Sequence, residues 1–507
     1  MIELLVLSFI LVIYIVYSSL AKNHDYWKKR NVPYAKPTLL LGNYGDYILQ
    51  RKYAPQIASD ILKQFPNEPY IGTFYGTRPA LLLQDPEIIK LVMTKEFYYF
   101  NGREVSDFAH REALTRSITA AGGDEWKVLR VNLTPLFTSS KLKNMFPLIH
   151  KCTEDLKNKL QNEVKISQNI NARSLLAKYT MDFVISATFG LNANCMQKDI
   201  QENPFILMGD KIFDSSVTRG IRMVCRSMWP SLFYALGYTL FDEKVSEFFS
   251  GLFSKASENR LKDGSSRNDF IDVILQWKKD DYLTTESMSN AKTGEEKIFK
   301  LPVTDELLVG QSLALFGAGY ETTSTTMTYV LYELAKHPQI QDRLIQEVDE
   351  YFHKHETIEY ECSNELPYLG ACIDETLRLY PVLGVITREV MHDYTLPTGL
   401  RLQKGLPVHI PIYHLQRNPK YFPEPEVFRP ERFRGEEKKK IKQCTFIPFG
   451  EGMRFTPMPM YGGLLTILRN YKIEVGESTP LNLTFKASSL VNHSTRDIYL
   501  KFVPRNI

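Results

Sequence analysis

Apolar residues recur three and four positions apart through five stretches, residues 85–97, 124–137, 174–190, 305–336 and 367–381. That spacing predicts helices with one face turned inward. Two short aliphatic runs, 79–84 (PALLLQ) and 497–503 (DIYLKFV), read as strands. Residues 280–300 carry few large apolar side chains, and this predicts a mobile loop. From about residue 40 onward there is no internal repeat and no long linker, so residues 41–507 read as one large domain.

The first twenty residues, MIELLVLSFILVIYIVYSSL, hold a single charge, Glu3, and are long enough as a helix to cross a hydrocarbon core. A cleaved leader fits less well, because the run starts with an acid and lacks an A-x-A-like site. Residues 1–20 therefore read as a membrane anchor. Lys22, Lys28, Lys29 and Arg30 follow it, and this positive charge places the remainder in the cytosol. Pro33 and Pro37 stiffen the stretch 21–40, which reads as a linker.

Composition narrows the picture further. With 44% apolar and 12% aromatic residues the chain can bury a large core, which excludes disorder, collagen and coiled coil. Lys plus Arg is 62 against 58 acids, and a net charge of +4 over 507 residues is not the footprint of a nucleic-acid binder. The six cysteines, at 152, 195, 225, 362, 372 and 444, form no CxxC, so zinc knuckles and a disulfide framework are excluded. The N-x-S/T triplets at Asn132, Asn482 and Asn492 are expected to stay unmodified in a cytosolic domain.

Candidate chemistry lies in four places. Gly317 and Gly319 interrupt the long helix pattern, each at a cost of about 1 kcal/mol relative to alanine. In Ala318-Gly319-Tyr320-Glu321-Thr322 an acid and an alcohol follow the thin spot, so a proton relay to a small bound ligand is one reading. A packing glycine is the other, and spacing alone leans to it. Glu375 and Arg378 stand at i and i+3, able to pair in a fork, and Arg432 in PERF completes a network if the chain folds back. Trp126 and Arg130, four apart, offer two donors to an anion.

Taken in order, WxxxR, AGYET, ETLR, PERF and FIPFGEG behind an apolar anchor resemble a microsomal cytochrome P-450, closest to the insect type. The resemblance implies a mainly α fold with small β-sheets, and a haem held between the glycine-bearing helix and the loop after FIPFG. It implies that Ala318 and Gly319 flank the oxygen site and that Glu321 and Thr322 deliver protons. Glu375, Arg378 and Arg432 would form a structural triad; Trp126, Arg130 and Arg388 would hold the haem propionates, with Phe449 and Gly450 in the haem loop. Gln416 stands where relatives often have a histidine, and no role is carried to it. The implied activity is insertion of one oxygen atom into an apolar molecule, a xenobiotic, plant toxin or lipid-like hormone. The implied partners are NADPH-cytochrome P-450 reductase and the endoplasmic reticulum membrane, with no nucleic acid. Lys438, Lys439, Lys440 and Lys442 form either a docking face for that reductase or a solvated loop.

One departure matters most. The family's haem loop reads F-G-x-G-x-R-x-C-x-G, and its cysteine thiolate is the axial ligand. This chain reads PFGEGMRFTPMPMYGG, and no cysteine follows Cys444. Without gaps, Thr456 takes the ligand position and Met458 the last glycine. A second alignment fits better: insect relatives continue PFGEG with P-R-N-C-I-G before an M-R-F triplet, so six residues are absent after Gly452 and Met453-Arg454-Phe455 is the later triplet. Arg454 is then not the loop arginine. Thr456, a neutral hard donor, is not assigned as a metal ligand, and Cys444 lies twelve residues earlier on a run expected to be extended. Pro457 and Pro459 are expected to disturb the next helix. The chain as written is therefore expected to be inactive or to lack a short piece, the alternative being a non-catalytic membrane-bound relative that binds apolar molecules.

Overall fold

The computed structural model describes residue 17 and residues 21–197, 203–264, 269–451 and 458–506. The helix Asp305–Lys336 is the axis of the molecule. Its start is set by Thr304, whose hydroxyl accepts the Leu307 N–H at 3.3 Å, with Asp305 and Glu306 in the first turn; it stops just before Pro338. Most of its side chains are buried all round, so it is a core helix rather than an amphipathic one. The helix Ala172–Phe189 lies against it, capped by the Asn171 side-chain oxygen Oδ1, which accepts the Ser174 N–H, and ended by Gly190 in the left-handed region. The other four predicted helical stretches all appear, as Pro86–Lys90 running on to Lys95, Gly123–Leu133, Ala172–Phe189 and Pro367–Leu379.

Eleven strands among the described residues form four small sheets. β1 (Tyr70–Tyr75), β2 (Arg78–Leu83), β9 (Pro407–Ile410) and β6 (Ile386–Glu389) make one sheet in the order β1-β2-β9-β6. β10 (Tyr471–Val475), β11 (Tyr499–Pro504) and β3 (Asn169–Asn171) make a second; β4 (Tyr282–Glu286) with β5 (Ile298–Pro302), and β7 (Tyr394–Thr395) with β8 (Arg401–Leu402), are antiparallel pairs. In the first sheet β2 and β9 run parallel, and β6 pairs antiparallel with β9 so that Arg388 stands opposite Val408. The architecture is mainly helical with small sheets, as expected.

The stretch 280–300 is not a loop. It holds β4, a helical turn at Asn290–Thr293 and β5, with Leu283 and Leu301 paired and buried. Asp124, at the start of the helix Gly123–Leu133, accepts from the Ser287 hydroxyl at 2.7 Å and the Met288 N–H at 2.6 Å, and this docks the segment. Residues 21–40 lie against β1. Trp27 is fully buried, its indole N–H donates to Thr73 O at 2.9 Å, and a Cβ on Gly72 would stand 2.3 Å from its ring. No helix among the described residues is long and apolar enough to cross a membrane, and the anchor expected at residues 1–20 lies outside them apart from Tyr17.

Candidate functional site

The helix Pro367–Leu379 carries Glu375 and Arg378 one turn apart, both completely buried. Arg378 Nε and Nη2 reach the two Glu375 oxygens at 2.7 and 2.8 Å, a bidentate fork. Arg432, 4% exposed, donates Nε to Glu375 Oε1 at 3.3 Å, and the Arg429 N–H donates to the same oxygen at 2.8 Å. The remaining guanidinium donors go to backbone: Arg378 Nη1 to Gln416 O and Pro425 O, Arg432 Nη2 to Glu424 O. The three residues expected to form a network do so. Gln416, to which no role was carried, is fully buried; its amide donates to Leu377 O and Arg378 O and its oxygen accepts the Ile447 N–H. It thus ties this helix to residues 444–450, which lead into the loop and, contrary to the extended run expected, turn at Cys444 in the left-handed region.

A cavity of about 340 Å³ opens beside that run, and Phe97, Arg103, Trp126, Arg130, Arg388 and Glu451 are among its walls. Trp126 and Arg130, from one helix, and Arg388, from β6, meet there as expected. Arg103 was not foreseen. Arg103 Nη1 and Arg388 Nη1 both donate to Thr387 O at 2.9 Å, so the two guanidiniums lie side by side, and no carboxylate among the described residues pairs with either. Burial, and after it Arg103, holds the Arg388 guanidinium down at about 9; burial lowers Arg103 as well. Arg388 Nε is buried without a partner. Phe449, 56% exposed, and Gly450, in the left-handed region, belong to the same run.

On the central helix Ala318 is exposed and Ala314 and Thr322 are half-buried, although the helix is otherwise mostly packed. These positions, four apart, form one stripe. Thr322 donates its hydroxyl to Ala318 O at 2.5 Å. Glu321 points elsewhere: it is fully buried, with Arg173 Nη2 at 2.8 Å, His493 Nε2 at 2.5 Å and the Thr325 hydroxyl at 3.1 Å all on Oε1. Burial would raise its carboxyl, but the hydrogen bond from His493 and the Arg173 charge outweigh it and hold the group at about 2. The folded value lies below the usual 4.5, so this stabilisation is present above pH 4.5 and is lost as pH falls through about 2. In thermal melts, the gap between the native protein and His493→Gln is expected to be widest above pH 4.5 and to close toward pH 2. A gap that does not change with pH refutes the assignment.

Gly319 faces the neighbouring helix, where a Cβ would stand 2.6 Å from Val184 Cγ2; at Gly317 the nearest atom, on Phe213, is 3.5 Å away. Gly317→Ala should therefore gain about 1 kcal/mol of helix stability, whereas Gly319→Ala should lose about 1 kcal/mol net, because overpacking outweighs that gain. Urea denaturation of the two variants checks both signs.

Cys444 is the last cysteine of the chain. Cys444 is buried in the left-handed region, and burial, then the carboxylate of Glu451 that it hydrogen-bonds, pushes its thiol up to about 12. It is not a thiolate at neutral pH. Thr456, Arg454 and Pro457 lie outside the described residues. Among the described residues the helix runs unbroken over Met458–Asn470 with Pro459 in it, so the disturbance expected from that proline does not occur there. Tyr179 donates its hydroxyl to Pro459 O at 2.9 Å, which seats this end. The lysine run is not a free positive face: Lys438 pairs with Asp374, Lys439 with Glu436, Lys440 with Glu437 and Lys442 with Glu87.

The family model described as Cytochrome P450 matches residues 33–501. Cytochrome P450 6B1 of Papilio polyxenes is 34% identical over 493 residues, covering 96% of both chains. Cytochrome P450 6B7 of Helicoverpa armigera is 33% identical over 500 residues, covering 97% of this chain and 96% of its own. Cytochrome P450 6k1 of Blattella germanica is 33% identical over 500 residues, covering 95% and 94%. A match over nearly the whole length, together with the buried Glu375–Arg378–Arg432 network and the arginine-lined cavity, places this chain in the cytochrome P450 family, among the microsomal insect-type members.

Proposed function

We propose that this protein, as its sequence stands, is a cytochrome P450 that keeps the family's ligand cavity but not its oxygen chemistry. The family uses haem, with electrons supplied from NADPH through a reductase. The acid edge of that cofactor suits the residues present: Arg388, buried and with one donor orphaned, and Arg103, half-buried, are paired with no carboxylate among the described residues and call for a dianion, and Trp126 and Arg130 stand beside them. Its iron does not suit them. The haem-thiolate activity needs a sulfur anion to favour O–O cleavage. Cys444 holds a protonated thiol, and no cysteine follows it in the sequence. We therefore derive no catalytic step through the cofactor.

The single observation that carries this reading is the absence of any cysteine between Gly450 and the end of the chain. Expressed from this coding sequence, reduced and exposed to carbon monoxide, the protein is expected to show no thiolate-type Soret band. Such a band overturns the reading. In place, the protein would sit on the endoplasmic reticulum membrane facing the cytosol, anchored by residues 1–20, and accept apolar small molecules against the Ala314–Ala318–Thr322 stripe.

A second reading has its own support. The alcohol, the triad and the helix Met458–Asn470 are all in place, which is the pattern left by a lesion confined to one loop. Under it the natural product carries six further residues after Gly452 and is an active monooxygenase with Thr322 in proton delivery and Glu321 held back in its pair with Arg173 and His493. Sequencing the transcript across codons 444 to 465 separates the two.

A further inference from the structure

We propose that Arg219, Arg222 and Arg226, on the helix Val217–Met228, bind the carboxylate of a small apolar acid at a site separate from the cavity beside β6. This binding needs neither iron nor the haem loop, so it goes beyond the function proposed above.

The three arginines stand at i, i+3 and i+7, which puts them on one face of their helix. Glu112, buried beside Arg226, is already taken up. Both of its oxygens accept the Leu240 N–H at 2.9 Å, Oε2 accepts the Phe241 N–H at 3.3 Å, and Oε1 accepts the Tyr234 hydroxyl at 2.9 Å. Arg226 comes only within 3.9 Å of that carboxylate and gives its Nε to the Tyr234 oxygen instead, at 2.6 Å. Arg226 is 7% exposed, yet its buried Nη2 has no hydrogen-bond partner, and neither has the buried Nε of Arg219. Two buried guanidinium donors left unmade are costly, so both call for an acceptor from outside the chain. No carboxylate among the described residues forms an ion pair with Arg219 or Arg222. Burial, helped by the charges of Arg222 and Arg226 and opposed by those of Glu112 and Asp214, holds the Arg219 guanidinium down at about 10. Three cations thus stand against two acids, and the excess of one suits a monoanion. Apolar surface adjoins the donors: the Arg219 guanidinium lies 4.7 Å over the Phe241 ring, and Val217 and Ile221, both exposed, form a stripe on the solvent side of the same helix. One carboxylate on an apolar body answers both features.

The test titrates undecanoate and undecanol calorimetrically into the full-length protein in a neutral detergent, with the heat of the micelles alone subtracted. The acid is expected to bind at least about tenfold more tightly than the alcohol, since only the acid makes charge-assisted bonds. Arg219→Gln and Arg222→Gln should each weaken the acid by about fivefold or more and leave the alcohol unchanged, which also shows that the variant is folded. Arg222→Lys keeps the charge at an exposed position and should retain most of the affinity. Acid and alcohol binding alike overturns the proposal, as does an affinity for the acid that neither glutamine substitution lowers. Flotation with phosphatidylserine vesicles separates a free acid from a lipid headgroup. If the glutamine substitutions reduce attachment to those vesicles but leave undecanoate binding intact, the arginines read a membrane surface and the proposal fails. A thiolate-type Soret band bears on the functional reading and leaves this site untouched, so the two failures are told apart.

Discussion

Glu375→Ala is expected to lower the free energy of unfolding by about 3–5 kcal/mol, the cost of leaving buried charges without their counter-charge. The carboxylate receives four hydrogen bonds, two from Arg378, one from Arg432 and one from the Arg429 backbone, and its residue is completely shielded from water. Removing it strands two guanidiniums that the fold cannot rehydrate. Burial already lowers Arg432, so loss of the anion pushes it further in the same direction. Chemical denaturation should show an earlier midpoint with an unchanged slope. A loss below about 1 kcal/mol would mean that the network relaxes toward solvent. Glu375→Gln keeps the shape and two acceptor sites at one oxygen, so it should fall between the native protein and alanine.

Inserting Pro-Arg-Asn-Cys-Ile-Gly after Gly452 is expected to create the thiolate-type Soret band of the reduced carbon monoxide complex, and with it oxidation of apolar substrates in the presence of reductase. Thr456→Cys alone is expected to create neither. The contrast discriminates the two alignments. With Thr456 two residues before the helix Met458–Asn470, the triplet Met453-Arg454-Phe455 corresponds to the one that follows the cysteine in relatives, so a sulfur at 456 comes too late in the chain. That helix is firmly seated: a Cβ on Gly463 would stand 2.4 Å from Met327 Cε and one on Gly462 2.7 Å from Ile149 Cγ2. A thiolate band from Thr456→Cys would instead support the ungapped alignment.

Which parts of this structure could be read in advance follows from distance along the chain. The long helix and the Glu375–Arg378 fork were legible because their partners lie within one or two turns, where spacing is decisive. Arg388 could be placed only through resemblance to a family, Arg432 only on condition that the chain folds back, and the spacing of Trp126 and Arg130 showed two donors but not what they face. Arg103 and His493 escaped both routes. Arg103 finds its acceptor 284 residues away and His493 its carboxylate 172 residues away, and neither sits in a recognisable motif. Gln416 was passed over because it replaces a familiar residue, yet its amide makes three backbone contacts at once. The β4–β5 hairpin was missed because only Leu283, Leu301 and the half-buried Phe299 turn inward, too sparse an alternation to stand out among polar neighbours.

That hairpin has a wider reach than its position suggests. Asp124, which holds it, is two residues from Trp126 and six from Arg130 on a single rigid rod, and the Gly123 N–H of that rod is gripped at 2.6 Å by Asn101 from the opposite wall. Lengthening or shortening the surface segment between residues 286 and 298 would swing the rod like a lever. Selection acting on a stretch that touches no ligand can in this way retune what the arginines admit.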